Sequence, residues 1–134
     1  MKIEPTLYII MRTDLPDCNP GKSVAQGSHA TNDFEQWKRT ILQDVDHYGD
    51  LISEFERWQE DRSFGRCIVL EGTKAEIEDV VRNNDFAGMT VDPTYPWRNW
   101  YGDLFLSEEV TCGWCFICNE TTPSELLTQL PLHR

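Results

Sequence analysis

The sequence predicts an α/β fold: a small four-stranded mixed sheet with helices packed on both faces, in the order β-α-α-β-α-β-β-α. Three observations lead there. Residues 7–11 and 67–70 are short apolar runs with β-branched content, bounded by polar or turn-forming residues. Between and after them, apolar residues recur every three or four positions, the helical period. The chain has 134 residues, 40% hydrophobic and 26% charged, which suits one domain and leaves no room for a second core.

Each element follows in turn. Leu7, Tyr8, Ile9, Ile10 and Met11 form a central strand, which ends in a loop over 13–21 holding two prolines, two aspartates and an asparagine. Val24, Gly27, Ala30, Phe34, Trp37, Ile41 and Val45 share one face of a first helix. After Gly49, Leu51, Ile52, Phe55 and Trp58 line a second helix, and Cys67, Ile68, Val69 and Leu70 form a second strand. Thr73 to Glu76 is a capping-box spacing, opening a helix striped with Ile77, Val80 and Val81 that closes near Gly88. Met89, Thr90 and Val91 read as a third strand cut off by Asp92-Pro93. A turn-rich aromatic segment over 95–103 follows, then a fourth strand over about 113–118. Thr122, Pro123, Ser124 and Glu125 form a second capping box, beginning a helix through Leu126, Leu127 and Leu130.

Composition excludes several classes. No apolar run is long enough for a transmembrane helix, and the first residues lack a leader-like apolar core, so a soluble cytoplasmic protein with no membrane partner is expected. The net charge of −11 repels polyanions unless a local basic patch overrides it. That charge lies wholly beyond residue 30; the first thirty residues balance Lys2, Arg12 and Lys22 against Glu4, Asp14 and Asp17. Five cysteines argue against a fully paired disulfide framework. Cys112, Cys115 and Cys118 have cluster-like spacing, but Thr122 stands where the ferredoxin run needs its fourth cysteine. They read as buried strand thiols, and neither a metal site nor a cofactor is expected.

The chemically suggestive stretch joins the first strand to the first helix. A loop leaving the C-terminal end of a strand and entering a helix is where α/β sheets place ligands. Unpaired N–H groups there favour an anion or a developing oxyanion, and Lys22 in the first helical turn adds a cation. It is not a P-loop, because Pro16 replaces the first glycine. Plainer readings stand beside these: Lys22 as a solvated surface residue, Arg12 pairing with Asp14, and His29 as a packing residue near Gln26.

The run from Tyr8 to Ala30 resembles the type 2 peptidyl-tRNA hydrolases. Their chains open with an apolar strand, R-x-D-L/I, a loop, and G-K-x-x-A-Q-x-x-H-A. This sequence supplies Arg12, Asp14, Leu15, Gly21, Lys22, Ala25, Gln26, Ser28, His29 and Ala30 in that register. The resemblance implies metal-independent hydrolysis of the ester between a peptide and the 3′ ribose of tRNA. It implies contact with the CCA end and acceptor stem, and leaves a homodimer open. It places the catalytic lysine on Lys22. Arg12, Asp14, Gln26, Ser28 and His29 would surround the same site.

The second half departs from that pattern. The family's D-A-G-x-T motif and its G-I-G-P strand end are absent. Taking Thr111 as the strand-start threonine and counting back reaches Asn99, with Asp103 the nearest carboxylate afterwards. Asp103 and Thr111 are therefore the candidates for the second half of the catalytic machinery. Trp97, Trp100 and Tyr101, beside Arg98, either stack on the unpaired bases of a tRNA end or cap the core. Arg98 and Trp100 stand as substrate-binding candidates on the first reading. The alternative for the whole chain is a catalytically inactive tRNA- or protein-binding module on the same scaffold.

Overall fold

The structure, a computed structural model, describes residues 3–60 and 65–133. Its elements run β1 (Thr6–Arg12), α1 (Pro20–Leu42), α2 (Val45–Glu60), β2 (Cys67–Gly72), α3 (Lys74–Asn83), β3 (Ala87–Arg98), β4 (Leu104–Ile117) and α4 (Glu125–Gln129). The sheet order is β2-β1-β4-β3, with β1 parallel to β2 and antiparallel to β4, and β3 antiparallel to β4. This is the α/β mixed sheet and the element order that the sequence predicts.

Alternation along the central strands builds two cores on one sheet. Leu7, Ile9 and Met11 of β1 join Cys112, Trp114 and Phe116 of β4 beneath α1 and α2. On the other face Ile10, Cys115 and Ile117 pack with Ile77 and Val80 of α3 and Leu127 of α4. Phe34 of α1 is the hub of the first core, with the rings of Trp58, Trp114 and Phe116 each 5.5 Å away. The predicted capping box on α3 is formed: the Thr73 hydroxyl accepts from Glu76 N, and Thr73 N donates to the Glu76 carboxylate.

Several boundaries differ from the sequence reading, each for a physical reason. Val45 opens α2 rather than ending α1, and α2 runs through Gly49 with a kink at Tyr48. The buried face of α1 is Gln26, Ala30, Phe34, Lys38 and Ile41, while Val24 is 75% exposed. Lys38 reaches that face because its stem packs inward while its ammonium meets Glu35 and the Trp58 ring. α3 stops at Asn83, and Ser124 rather than Thr122 caps α4.

The largest difference is in the second half. β3 continues through Pro93 for 12 residues and pairs with a 14-residue β4, so the aromatic segment belongs to a long hairpin. β3 is an edge strand, where a missing N–H is tolerated, and the pairing shifts between Asp92 and Tyr95 to absorb the proline. The turn is fixed by Asn99, whose side-chain oxygen accepts from Tyr101 N and Asp103 N, with Gly102 at φ +84°. Trp97 stacks on Phe105 across the hairpin at 4.8 Å. Trp100 and Tyr101 are 95% and 86% exposed, so the core-capping reading does not hold for them.

The C-terminal cysteines lie inside the sheet as read, Cys112 and Cys118 towards one core and Cys115 towards the other. Burial pushes the thiols of Cys112 and Cys115 up to about 12 and that of Cys118 to about 11. In the unfolded chain a thiol ionises near its ordinary 9.0. Below that pH both states keep their protons; above it the unfolded state releases protons that the folded state retains. Stability should therefore fall as pH rises from 9 towards 11, by about 1.4 kcal/mol per pH unit for each thiol. Urea midpoints at pH 8, 9 and 10 check this, and Cys115→Ala should flatten the slope by the share of one thiol. An unchanged midpoint would show that the thiols ionise in the native state.

Candidate active site

The site is built where the loop after β1 meets the first two turns of α1 and the bulged part of the β3–β4 hairpin. Asn19 caps α1, its side-chain oxygen accepting from Lys22 N at 2.9 Å, and Pro20 occupies the first turn. Lys22 and Gln26, four residues apart on α1, lie on one flank of the helix and are separated by about 6 Å along its axis. Both reach β3.

Lys22 is heavily engaged. Its ammonium donates to Asp17 O at 2.8 Å, Pro96 O at 2.8 Å and the Asp17 carboxylate at 3.3 Å, 5.2 Å from the centre of the Tyr95 ring. Those three acceptors match the three protons of an ammonium. Asp17 takes a left-handed backbone at φ 53°, costly for a residue with a Cβ, and its carboxylate also accepts from Arg98 N. The hydrogen bonds from Arg98 N and Lys22 hold that carboxyl below its usual range. The Tyr95 hydroxyl donates to Pro16 O, and burial pushes its phenol up to about 12. The junction of β1 and α1 is thus tied at three points to the end of β3 nearest the hairpin turn.

Gln26, only 5% exposed, links the two strands of the hairpin. Its amide nitrogen donates to Asp92 Oδ2 at 2.8 Å, and its amide oxygen accepts from the fully buried Thr111 hydroxyl at 2.7 Å. Both ends depend on irregular pairing. Thr90 pairs with Cys112 and Val91 with Val110, so Thr111 is the extra residue of a β-bulge, which re-aims its side chain under α1. At Asp92 the second carboxylate oxygen accepts from Thr94 N at 2.9 Å, an Asx turn spanning Pro93. The row Asp92–Gln26–Thr111 is therefore fixed at every member, and Asp92 keeps partial access to solvent.

Arg12 and Asp14 serve a different purpose. Arg12 donates to Asp14 at 2.7 Å, Glu109 at 2.9 Å and Val110 O at 3.0 Å, bracing β1 against the loop and β4. Asp14 also accepts from Lys74 N at the start of α3. Desolvation opposes ionisation of Asp14, but the bonds from Arg12 and Lys74 N outweigh it and hold the carboxyl below its usual range. Ser28 and His29 are exposed on α1.

Of the sequence candidates, then, the structure joins Gln26 to Thr111 by a hydrogen bond and places Lys22 one turn before Gln26 on α1. It does not bring Asp103 to them. Asp103 sits in the hairpin turn, where its backbone and carboxylate pair with Asn99, and Arg98 donates to Gly102 O at the same tip. Trp100 stands out from that tip. The carboxylate beside Gln26 is Asp92, which the sequence reading passed over as a strand stop. Its signal is Asp92-Pro93-Thr94 directly after apolar Val91, an Asx-turn spacing at a strand position. Counting back from Thr111 missed it because the hairpin occupies the interval.

Among the described residues no group of three or more His, Cys, Asp or Glu could hold a metal ion, and no helix is long and apolar enough to cross a membrane. No protein-family model matches the chain, and no curated protein matches it.

Proposed function

We propose that this protein hydrolyses the ester of N-blocked aminoacyl-tRNA, the peptidyl-tRNA hydrolase reaction, without a metal. The observation that carries the reading is the fixed row Asp92–Gln26–Thr111, whose Gln26 stands one turn after Lys22 on α1, both residues reaching β3. Asp92 takes a proton from a water as its oxygen attacks the ester carbonyl carbon. The carbonyl π electrons move onto oxygen, where the Lys22 cation and the N-terminus of α1 stabilise the charge. Collapse breaks the bond to the 3′ oxygen of the ribose, which takes the proton back from Asp92. Gln26 holds the carboxylate in place, and Thr111 fixes the orientation of the Gln26 amide. The hairpin grows directly from this site. Trp100 and Tyr101 at its tip offer exposed rings for the unpaired bases of the CCA end, and Arg98 a cation beside them.

One observation favours a second reading, a tRNA- or protein-binding module without activity: every proton of the Lys22 ammonium already has an acceptor. Hydrolysis of an N-blocked aminoacyl-tRNA by wild type and Lys22→Ala separates the two, with free aminoacyl-tRNA as the control. Lys22→Ala should lose at least tenfold in kcat/KM, about 1.4 kcal/mol of transition-state stabilisation. A folded, inactive wild type that still binds tRNA, with affinity falling steeply in salt, would establish the binding module instead.

A further inference from the structure

α1 has a second flank, and it borders a cleft of about 760 Å³ that the row above does not use. Its floor is Val69, exposed on β2 beyond the edge of α1, with the largely buried side chains of Ile9 and Met11 beside it. Its helix wall is Val24 and Gly27. A concave, mainly apolar space of this size with a few polar groups at its rim is the usual form of a small-molecule site.

Gly27 makes the cleft more than a gap in packing. Glycine inside a helix is unfavourable relative to alanine. Gly27 has no positive φ to require it, and a Cβ built there would meet only Met11 Sδ, at an ordinary 3.8 Å. Alanine would fit and favour the helix, so what the glycine gives is open space in the cleft. The rim supplies polarity next to it. Arg12 uses Nε and Nη1 in its brace, and among the described residues its Nη2 takes no partner. Ser28 adds an exposed hydroxyl.

The cleft reaches the start of α1. Asn19, which caps α1 at Lys22, lines it too, so a chain crossing the start of α1 passes from one flank to the other. We infer that the cleft receives the apolar side chain of an N-acylated amino acid residue, with Arg12 Nη2 and Ser28 available to its acyl carbonyl. This rests on the hydrolase reading for its biological setting, but the binding it describes is measurable alone.

N-acetyl-L-phenylalanine amide titrated into the full chain should shift the Met11 and Val69 methyl resonances saturably, and N-acetylglycine amide should not. Gly27→Leu and, independently, Val69→Trp should weaken that binding at least tenfold. Gly27→Ala should raise the urea midpoint, which shows that the helix tolerates a side chain there. Saturable binding that survives both filling variants would overturn the assignment. So would equal shifts with the two probes, no shift with either, or equally tight binding of octanoate. Hydrolysis is read separately. Probe binding in an inactive protein removes the hydrolase reading and leaves the cleft assigned. Activity with no preference for N-acetyl-phenylalanyl- over N-acetyl-glycyl-tRNA, and no probe binding, does the reverse.

Discussion

Asp92→Asn is expected to lower kcat/KM for N-blocked aminoacyl-tRNA at least 100-fold, about 2.7 kcal/mol, while leaving the fold almost unchanged. The two halves of that expectation have separate causes. Asparagine keeps an oxygen for Thr94 N, and a flip of the Gln26 amide re-pairs everything else. Gln26 would then accept from the new amide and donate to the Thr111 hydroxyl, which can serve as acceptor as well as donor. No buried polar group is stranded, so the stability change should stay below about 1 kcal/mol. What disappears is the one group of the row able to take a proton from water. An Asp92→Asn protein as active as wild type would make the row a structural brace and nothing more.

Phe34→Ala is expected to destabilise the protein by about 3–5 kcal/mol, read as a drop in the urea midpoint. Phe34 is fully buried, and its ring lies within 6.4 Å of those of Trp37, Phe55, Trp58, Trp114 and Phe116. Those five rings come from α1, α2 and β4, so none can collapse into the void without moving its own element. The loss is a large share of the roughly 5–15 kcal/mol that holds a domain together. Phe34→Leu, which keeps most of the volume, should cost much less. A loss below about 1 kcal/mol for Phe34→Ala would mean that the aromatic cluster relaxes freely, against the close packing of interiors.

What the sequence makes legible here is what rests on local periodicity and capping. β1, β2 and the capped start of α3 fall where the apolar runs and the Thr73–Glu76 spacing place them. α1 is legible as a helix but not in its facing. Its buried stripe includes Gln26, whose partners Asp92 and Thr111 lie far along the chain, and Lys38, whose stem packs inward to the Trp58 ring, and no pattern of apolar residues can reveal that. The hairpin is the clearest failure. Asp92-Pro93 reads locally as a stop, but an edge strand with a shifted register absorbs a proline, and whether a strand is at an edge depends on the whole sheet. The site divides the same way. Lys22 is readable from the strand–loop–helix junction and Gln26 from the resemblance over the same stretch, whereas Asp92 is joined to Gln26 across 66 residues by a single hydrogen bond.

The prolines of β3 have a consequence for self-association. A long sheet margin with bare N–H and C=O groups is a template on which other extended chains assemble, the first step towards fibrils. β3 forms one margin and carries exposed Met89 and Val91, but Pro93 and Pro96 remove two donors within four positions. The margin at β2 is occupied by the chain itself: Glu71 N donates to Pro131 O, and His133 N to Val69 O. Neither border of the sheet offers an unbroken ladder to an incoming strand. Crowded copies of this protein should resist growth of cross-β aggregates from the native state, and contacts between them should form through side chains.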